Sequence, residues 1–110
     1  MSAAKVIANY ERLSALTVQM REAAEYGKWE ELISIEKQCD SLVAATKMID
    51  SETSLDEATR LQKNKLIQKI LSDEDEIRRL THDWMEQLKN QITSNRQEMR
   101  LQKTYGSSAD

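Results

Sequence analysis

The stretch around Gly27 and Trp29 constrains the fold more than any other part of this chain. One amphipathic pattern of residues ends at Tyr26 and another begins at Trp29, with Gly27 between them. The chain has two glycines and no proline. Gly27 therefore supplies, at this junction, the residue type that most easily adopts the left-handed backbone conformation that ends a helix. The sequence predicts a tight turn between two antiparallel helices.

Apolar or small residues follow a four-three spacing before this turn and a similar heptad-like spacing after it. Before it they are Val6, Tyr10, Leu13, Thr17, Met20 and Ala24, and after it they are Trp29, Leu32, Ile35, Cys39, Leu42, Thr46 and Ile49. This spacing is typical of an amphipathic helix with one buried stripe. It predicts helix 1 over residues 3–26 and helix 2 over residues 28–50.

A third helix is predicted from residue 55 onward. Ser54 precedes Glu57 by three residues, which fits a capping box at a helix start. The apolar stripe then crosses the acidic run at 72–76 without a change of phase, because three members lie seven apart: Ile70, Ile77 and Trp84. We therefore expect one helix over residues 55–94 and a solvated face for the acidic run.

Three weaker helix formers, Thr93, Ser94 and Asn95, predict a break after that helix. Asn95 and Glu98 offer a new cap beyond it. We expect a short helix 4 over residues 96–105 and a flexible tail at 106–110.

The expected fold is all-α, a single domain over residues 1–110. An antiparallel helical hairpin packs on a long third helix, and a short C-terminal fourth helix follows. Helices of about 23 residues are ~35 Å long and one of about 40 residues is ~60 Å long, so the hairpin cannot cover all of helix 3. The uncovered part predicts a partner-binding surface of Ile77, Leu80, Trp84, Leu88 and Ile92.

The C-terminal segment is expected to act as a removable cover over that surface. Its apolar residues are Met99, Leu101 and Tyr105. Docking of these side chains would compete with a partner for the same surface. Trp84 is interpreted as a partner-binding residue or as core. Gly27, Trp29 and Leu32 are interpreted as structural, because Trp29 lies directly after the turn and would wedge helix 1 against helix 2.

The composition of the chain argues against some classes of partner and some cellular compartments. Formal net charge is −3, which argues against a direct nucleic-acid binder. The single cysteine, Cys39, cannot form an internal disulfide, and no apolar run has the length of a membrane span. We expect a cytoplasmic setting.

Enzymatic, metal and cofactor sites are not expected. His82 and Glu86 lie one helical turn apart, but a di-iron bundle would need a carboxylate where Arg79 stands. The run at 72–76 lacks the alternating oxygen ligands and the glycine of a calcium loop. No phosphate-binding glycine loop or paired nucleophile and base occurs, so catalysis is not predicted.

Several segments of the chain, in their order and spacing, resemble the FliT family of flagellar type III export chaperones. They are Tyr10, residues 13–16, the Gly27-Lys28-Trp29-Glu30-Glu31-Leu32 stretch with Glu36, residues 70–77, and Lys103-Thr104-Tyr105-Gly106. The resemblance implies a chaperone that holds the flagellar filament-cap protein before secretion and delivers it to the export ATPase complex. It also implies binding to the master regulator FlhDC and lower flagellar gene expression.

An alternative function belongs to a different class. A structural coiled-coil module would homodimerise through helix 3 and have no export client. Such a module needs uninterrupted apolar residues along its seam, and Asp73 interrupts them. The sequence leaves open whether a homodimer is the resting form, which partner binds which surface and in what order.

Overall fold

The computed structural model describes the backbone of residues 3–109 and the side chains of residues 3–101. Three helices follow one another: α1 over Ala3–Glu25, α2 over Trp29–Glu52 and α3 over Glu57–Ala109. Over this part of the chain there is no strand, so the all-α prediction is confirmed. The chain divides into two compact units, residues 1–80 and residues 81–110.

The turn between α1 and α2 is a Schellman motif built on Gly27. Gly27 has a φ of 68°, and its N–H donates to the carbonyl of Ala24 at 3.3 Å. The N–H of Lys28 donates to the carbonyl of Ala23 at 2.8 Å, which completes the pair of bonds that define this motif. These two hydrogen bonds satisfy two terminal carbonyls of α1, and the turn reverses the chain within three residues.

The core of residues 1–80 consists of two clusters. One joins buried Ala23, Ala24, Leu32 and Ile77, with Met20, Trp29 and Leu80 packed against it. The other joins Leu13, Ile35 and Cys39, with Tyr10, Leu16, Met20, Leu42, Val43 and Ile70 around it. Residues near the end of α1 therefore meet the start of α2, as an antiparallel hairpin requires, and the first part of α3 packs on both helices.

Helix α3 begins at a different cap from the one expected. Asp56 rather than Ser54 caps it, because the Asp56 Oδ1 accepts the N–H of Thr59 at 2.7 Å. Hydrogen bonds from the side chain and then from the backbone N–H of Thr59 hold the pKa of the Asp56 carboxyl below its usual range. An anionic cap also interacts favourably with the positive end of the helix dipole, which explains the later start.

Helix α3 runs through the acidic residues 72–76 without a break, as predicted. The prediction that the acidic residues are solvated was wrong for Asp73, which is only 5% exposed. The Arg21 Nη1 donates to the Asp73 Oδ1 at 2.8 Å, and the Lys69 Nζ donates to the Oδ2 at 3.0 Å. A buried carboxylate with two cationic donors therefore ties α1 to α3.

The separate helix 4 expected over residues 96–105 is not seen. Thr93, Ser94 and Asn95 lie inside α3, which continues to Ala109. The Thr93 hydroxyl donates to the carbonyl of Lys89 at 3.0 Å, so its polar group is satisfied within the helix. Three residues of modest helix propensity cost roughly half a kcal/mol each relative to alanine, too little to break a helix without a glycine or proline.

Candidate partner-binding surface

Exposed apolar side chains are concentrated on α3 between residues 81 and 101. Five of them form what we call the apolar face: Trp84, Met85, Leu88, Ile92 and Met99. At about 100° of rotation per residue, these five positions fall within an arc of about 100° around the helix. Trp84, Leu88 and Ile92 are 38%, 39% and 44% exposed. Asn95 is a polar residue within the same arc. An apolar stripe of this kind marks an interaction site more often than scattered apolar residues do.

The five residues expected to bind a partner are distributed over both units. Ile77 is buried in the core cluster with Ala23, Ala24 and Leu32, and Leu80 packs against the same cluster. Trp84, Leu88 and Ile92 carry exposed surface. Only these three therefore belong to the apolar face.

The predicted cover residues lie on the same helix as the surface they were expected to cover. Met99 and Leu101 are both exposed, and the side chain of Tyr105 lies outside the described residues. Two residues along a helix correspond to about 160° around it, so Met99 and Leu101 point to nearly opposite sides. Met99 instead continues the apolar face.

The residues interpreted as structural lie together at the hairpin turn. Leu32 is buried, and Trp29 packs on the Ala23, Ala24 and Leu32 cluster. A Cβ placed on Gly27 would lie 3.8 Å from the Trp29 Nε1, which is ordinary contact distance. The positive φ of Gly27, rather than lack of space, therefore favours glycine at this position.

A polar network between the helices of residues 1–80 was not anticipated from the sequence. The Tyr10 hydroxyl donates to the Asp50 Oδ2 at 3.0 Å, and the Lys63 Nζ donates to the same oxygen at 3.1 Å. Burial, reinforced by the hydrogen bond and the charge of Asp50, raises the pKa of Tyr10 to about 12. One carboxylate therefore joins α1, α2 and α3.

The burial of Asp73 was also not anticipated, although the sequence contained a signal for it. Asp73 lies on the stripe that also contains Leu66 and Leu80, seven residues away on either side. A charged residue on an apolar stripe either interrupts it or is buried with a partner. Asp73 is buried because Arg21, which lies 52 positions earlier in the chain, is its partner.

Over the described residues, no three or more His, Cys, Asp and Glu side chains are grouped closely enough to hold a metal ion. Cys39 is buried with its Sγ 3.6 Å from the Met20 Sδ, and burial raises the pKa of its thiol. A raised pKa lowers the thiolate fraction, so the thiol is a poor nucleophile. Within that same part of the chain, no helix is sufficiently long and apolar to span a membrane.

Comparison with known proteins agrees with the resemblance noted in the sequence. Residues 7–107 match the family model described as "Flagellar protein FliT". A protein named "Flagellar protein FliT" from Serratia proteamaculans (strain 568) is 31% identical over 103 residues, which cover 93% of this chain and 84% of the relative. No solved structure matches. The match over most of the chain shows that this protein belongs to the FliT family of flagellar proteins.

Proposed function

We propose that this protein is a cytoplasmic export chaperone that binds the flagellar filament-cap protein before its secretion. Membership of the FliT family supports the flagellar role. The apolar face on residues 84–99 is the observation that carries the proposal, because a chaperone that holds an unassembled client needs apolar surface that its own core does not use. The chaperone then delivers its client to the export ATPase complex.

The proposal includes a second partner. After the cap protein leaves, the chaperone binds the FlhDC regulator and lowers flagellar gene expression. This protein–protein role is compatible with the net charge of −3, because the protein acts through the regulator and not on DNA. The C-terminal cover stays a prediction, and α3 would have to break and fold back to form it.

A matched pair of isoleucine substitutions tests the client-binding role. Ile92 lies on the apolar face and is 44% exposed, while Ile33 lies on α2 and is 52% exposed. Ile92→Asp places a carboxylate in the proposed interface, so we expect at least a tenfold loss of filament-cap protein retained from an extract of a motile bacterium. Ile33→Asp makes the same change on a surface of similar exposure and should leave retention unchanged.

Two outcomes would contradict the proposal. One is that the unaltered chaperone retains no filament-cap protein, and the other is that both variants retain it equally well. Thermal melts of both variants exclude unfolding as the cause of a loss. Sedimentation analysis of the unaltered protein would detect a dimer formed through α3 and so test the homodimer alternative.

A further inference from the structure

The apolar face has the spacing of a coiled-coil seam. Met85, Leu88, Ile92 and Met99 lie three, four and seven residues apart, so Met85, Ile92 and Met99 occupy one heptad position and Leu88 occupies the other. Asn95 follows Leu88 by seven residues and is the one polar residue in the seam. The seam covers about 21 Å of helix at 1.5 Å per residue. A single partner helix laid along α3 matches this narrow stripe.

A basic flank borders one side of this seam. Lys89 and Arg96 lie seven residues apart and His82 lies seven residues before Lys89, all three exposed. They occupy an arc about 80° to 120° around the helix from Leu88, directly beside the seam. No cation occupies the opposite edge, which carries Trp84, Gln91 and Glu98.

The charges of Lys89 and Arg96 are not neutralised by their neighbours. In the part of α3 with described side chains, neither residue forms an ion pair. Arg78 and Arg79, by contrast, pair with Asp75 and Glu76 on the same helix. The basic flank therefore offers two charges that a partner could neutralise.

A second copy of this chain would complement the flank poorly. In an antiparallel pair, Lys89 and Arg96 would face the equivalent basic positions of the other copy, and like charges repel. In a parallel pair, they would face Trp84 and Gln91, neither of which is charged. Neither arrangement supplies a carboxylate to Lys89 or Arg96.

We propose that the apolar face binds one amphipathic helix of a protein partner whose apolar stripe is bordered by Asp or Glu residues facing Lys89 and Arg96. This inference rests on the proposed function, because it names the chemistry of the partner at the same face. The apolar seam supplies the contact area. The basic flank selects among helices that all possess an apolar stripe.

Two synthetic three-heptad peptides test the proposal directly. Both carry the same apolar seam and the same helix-stabilising outer face, and their flanking positions are all Glu in one peptide and all Lys in the other. Binding to the full-length protein is measured by fluorescence anisotropy at about 50 mM and about 500 mM salt. We expect the Glu peptide to bind at least tenfold tighter at low salt, and the difference to shrink at high salt.

A charge-reversal variant serves as the matched control. The double variant Lys89→Glu with Arg96→Glu keeps the apolar seam intact and should reverse the preference between the two peptides. Circular dichroism verifies that helix content is unchanged. Equal binding of both peptides, binding of neither, or an unchanged preference in the double variant would overturn the proposal, as would a stable dimer that blocks the seam.

Binding of the filament-cap protein to the double variant distinguishes failure of this inference from failure of the proposed function. If the cap protein binds the double variant as well as the unaltered chaperone, the charge inference fails while the chaperone function stands. If the cap protein does not bind at all but the peptides are discriminated by charge, the chaperone function fails and the inference about the surface stands.

Discussion

Apolar and charged side chains have different surroundings in residues 3–80 and in residues 81–101. In the first region the apolar stripes meet one another, and the buried Asp73 has two cationic donors. In the second region the apolar face is exposed, and Lys89 and Arg96 form no ion pair among the described side chains. The first region neutralises its buried carboxylate internally, whereas the second presents an apolar seam and a basic flank suited to a partner.

The two tryptophans provide the largest test of this contrast. Trp29 packs on the core cluster at the hairpin turn, so Trp29→Ala should lower the free energy of unfolding by about 3 kcal/mol. Trp84 is 38% exposed, so Trp84→Ala should lower it by less than about 1 kcal/mol and mainly weaken client binding. Urea unfolding of both variants measures the difference. Equal losses of stability would place Trp84 in a core and remove the contrast.

Two aspartates on α3 give the next largest effect. Asp73 is buried between Arg21 and Lys69, whereas Asp75 is exposed and pairs with Arg78. Asp73→Asn removes a buried charge that holds two cations and should cost about 2 kcal/mol, while Asp75→Asn should stay within about 0.5 kcal/mol. Chemical denaturation of the two variants measures both values. Similar small losses would mean that the buried pair contributes no net stability.

Tyr10 predicts a smaller, pH-dependent effect. Its pKa is about 12 in the folded protein, above the ordinary value of 10.0. Between these pH values the unfolded protein loses the hydroxyl proton more readily than the folded protein, which destabilises the fold. The stabilisation is fully present below pH 10 and is lost as the pH rises from about 10 to about 12. Tyr10→Phe should cost about 1 kcal/mol at neutral pH and flatten the decline above pH 10. Thermal melts across this range would refute the assignment if both proteins declined alike.

The parts of the fold that local chemistry determines could be predicted from the sequence. The Gly27 turn and the continuity of α3 past residues 72–76 depend on backbone preferences and on phase, which neighbouring residues reveal. The burial of Asp73 could not be predicted, because its partner Arg21 is distant in sequence. The predicted break at 93–95 failed because weak helix formers alone do not end a helix.

The residues expected at the partner-binding surface depend in a similar way on packing that the sequence does not reveal. Leu88 and Ile92 lie on α3 and are 39% and 44% exposed, and their role in binding a partner stays a prediction. Ile77 belongs to the core, since the exact residue at which cover by the hairpin ends depends on side-chain packing. The stripe spacing alone does not contain that information.

The three-residue turn at Gly27 also bears on the order of folding. Ala24 and Leu32 are close in sequence, so the contact between α1 and α2 closes a short loop, whereas the Arg21–Asp73 pair closes a loop with a separation of 52 positions. Contacts of low sequence separation form sooner. We expect the hairpin to fold while the chain is still being synthesised. The first part of α3 would then pack on a hairpin that has already formed.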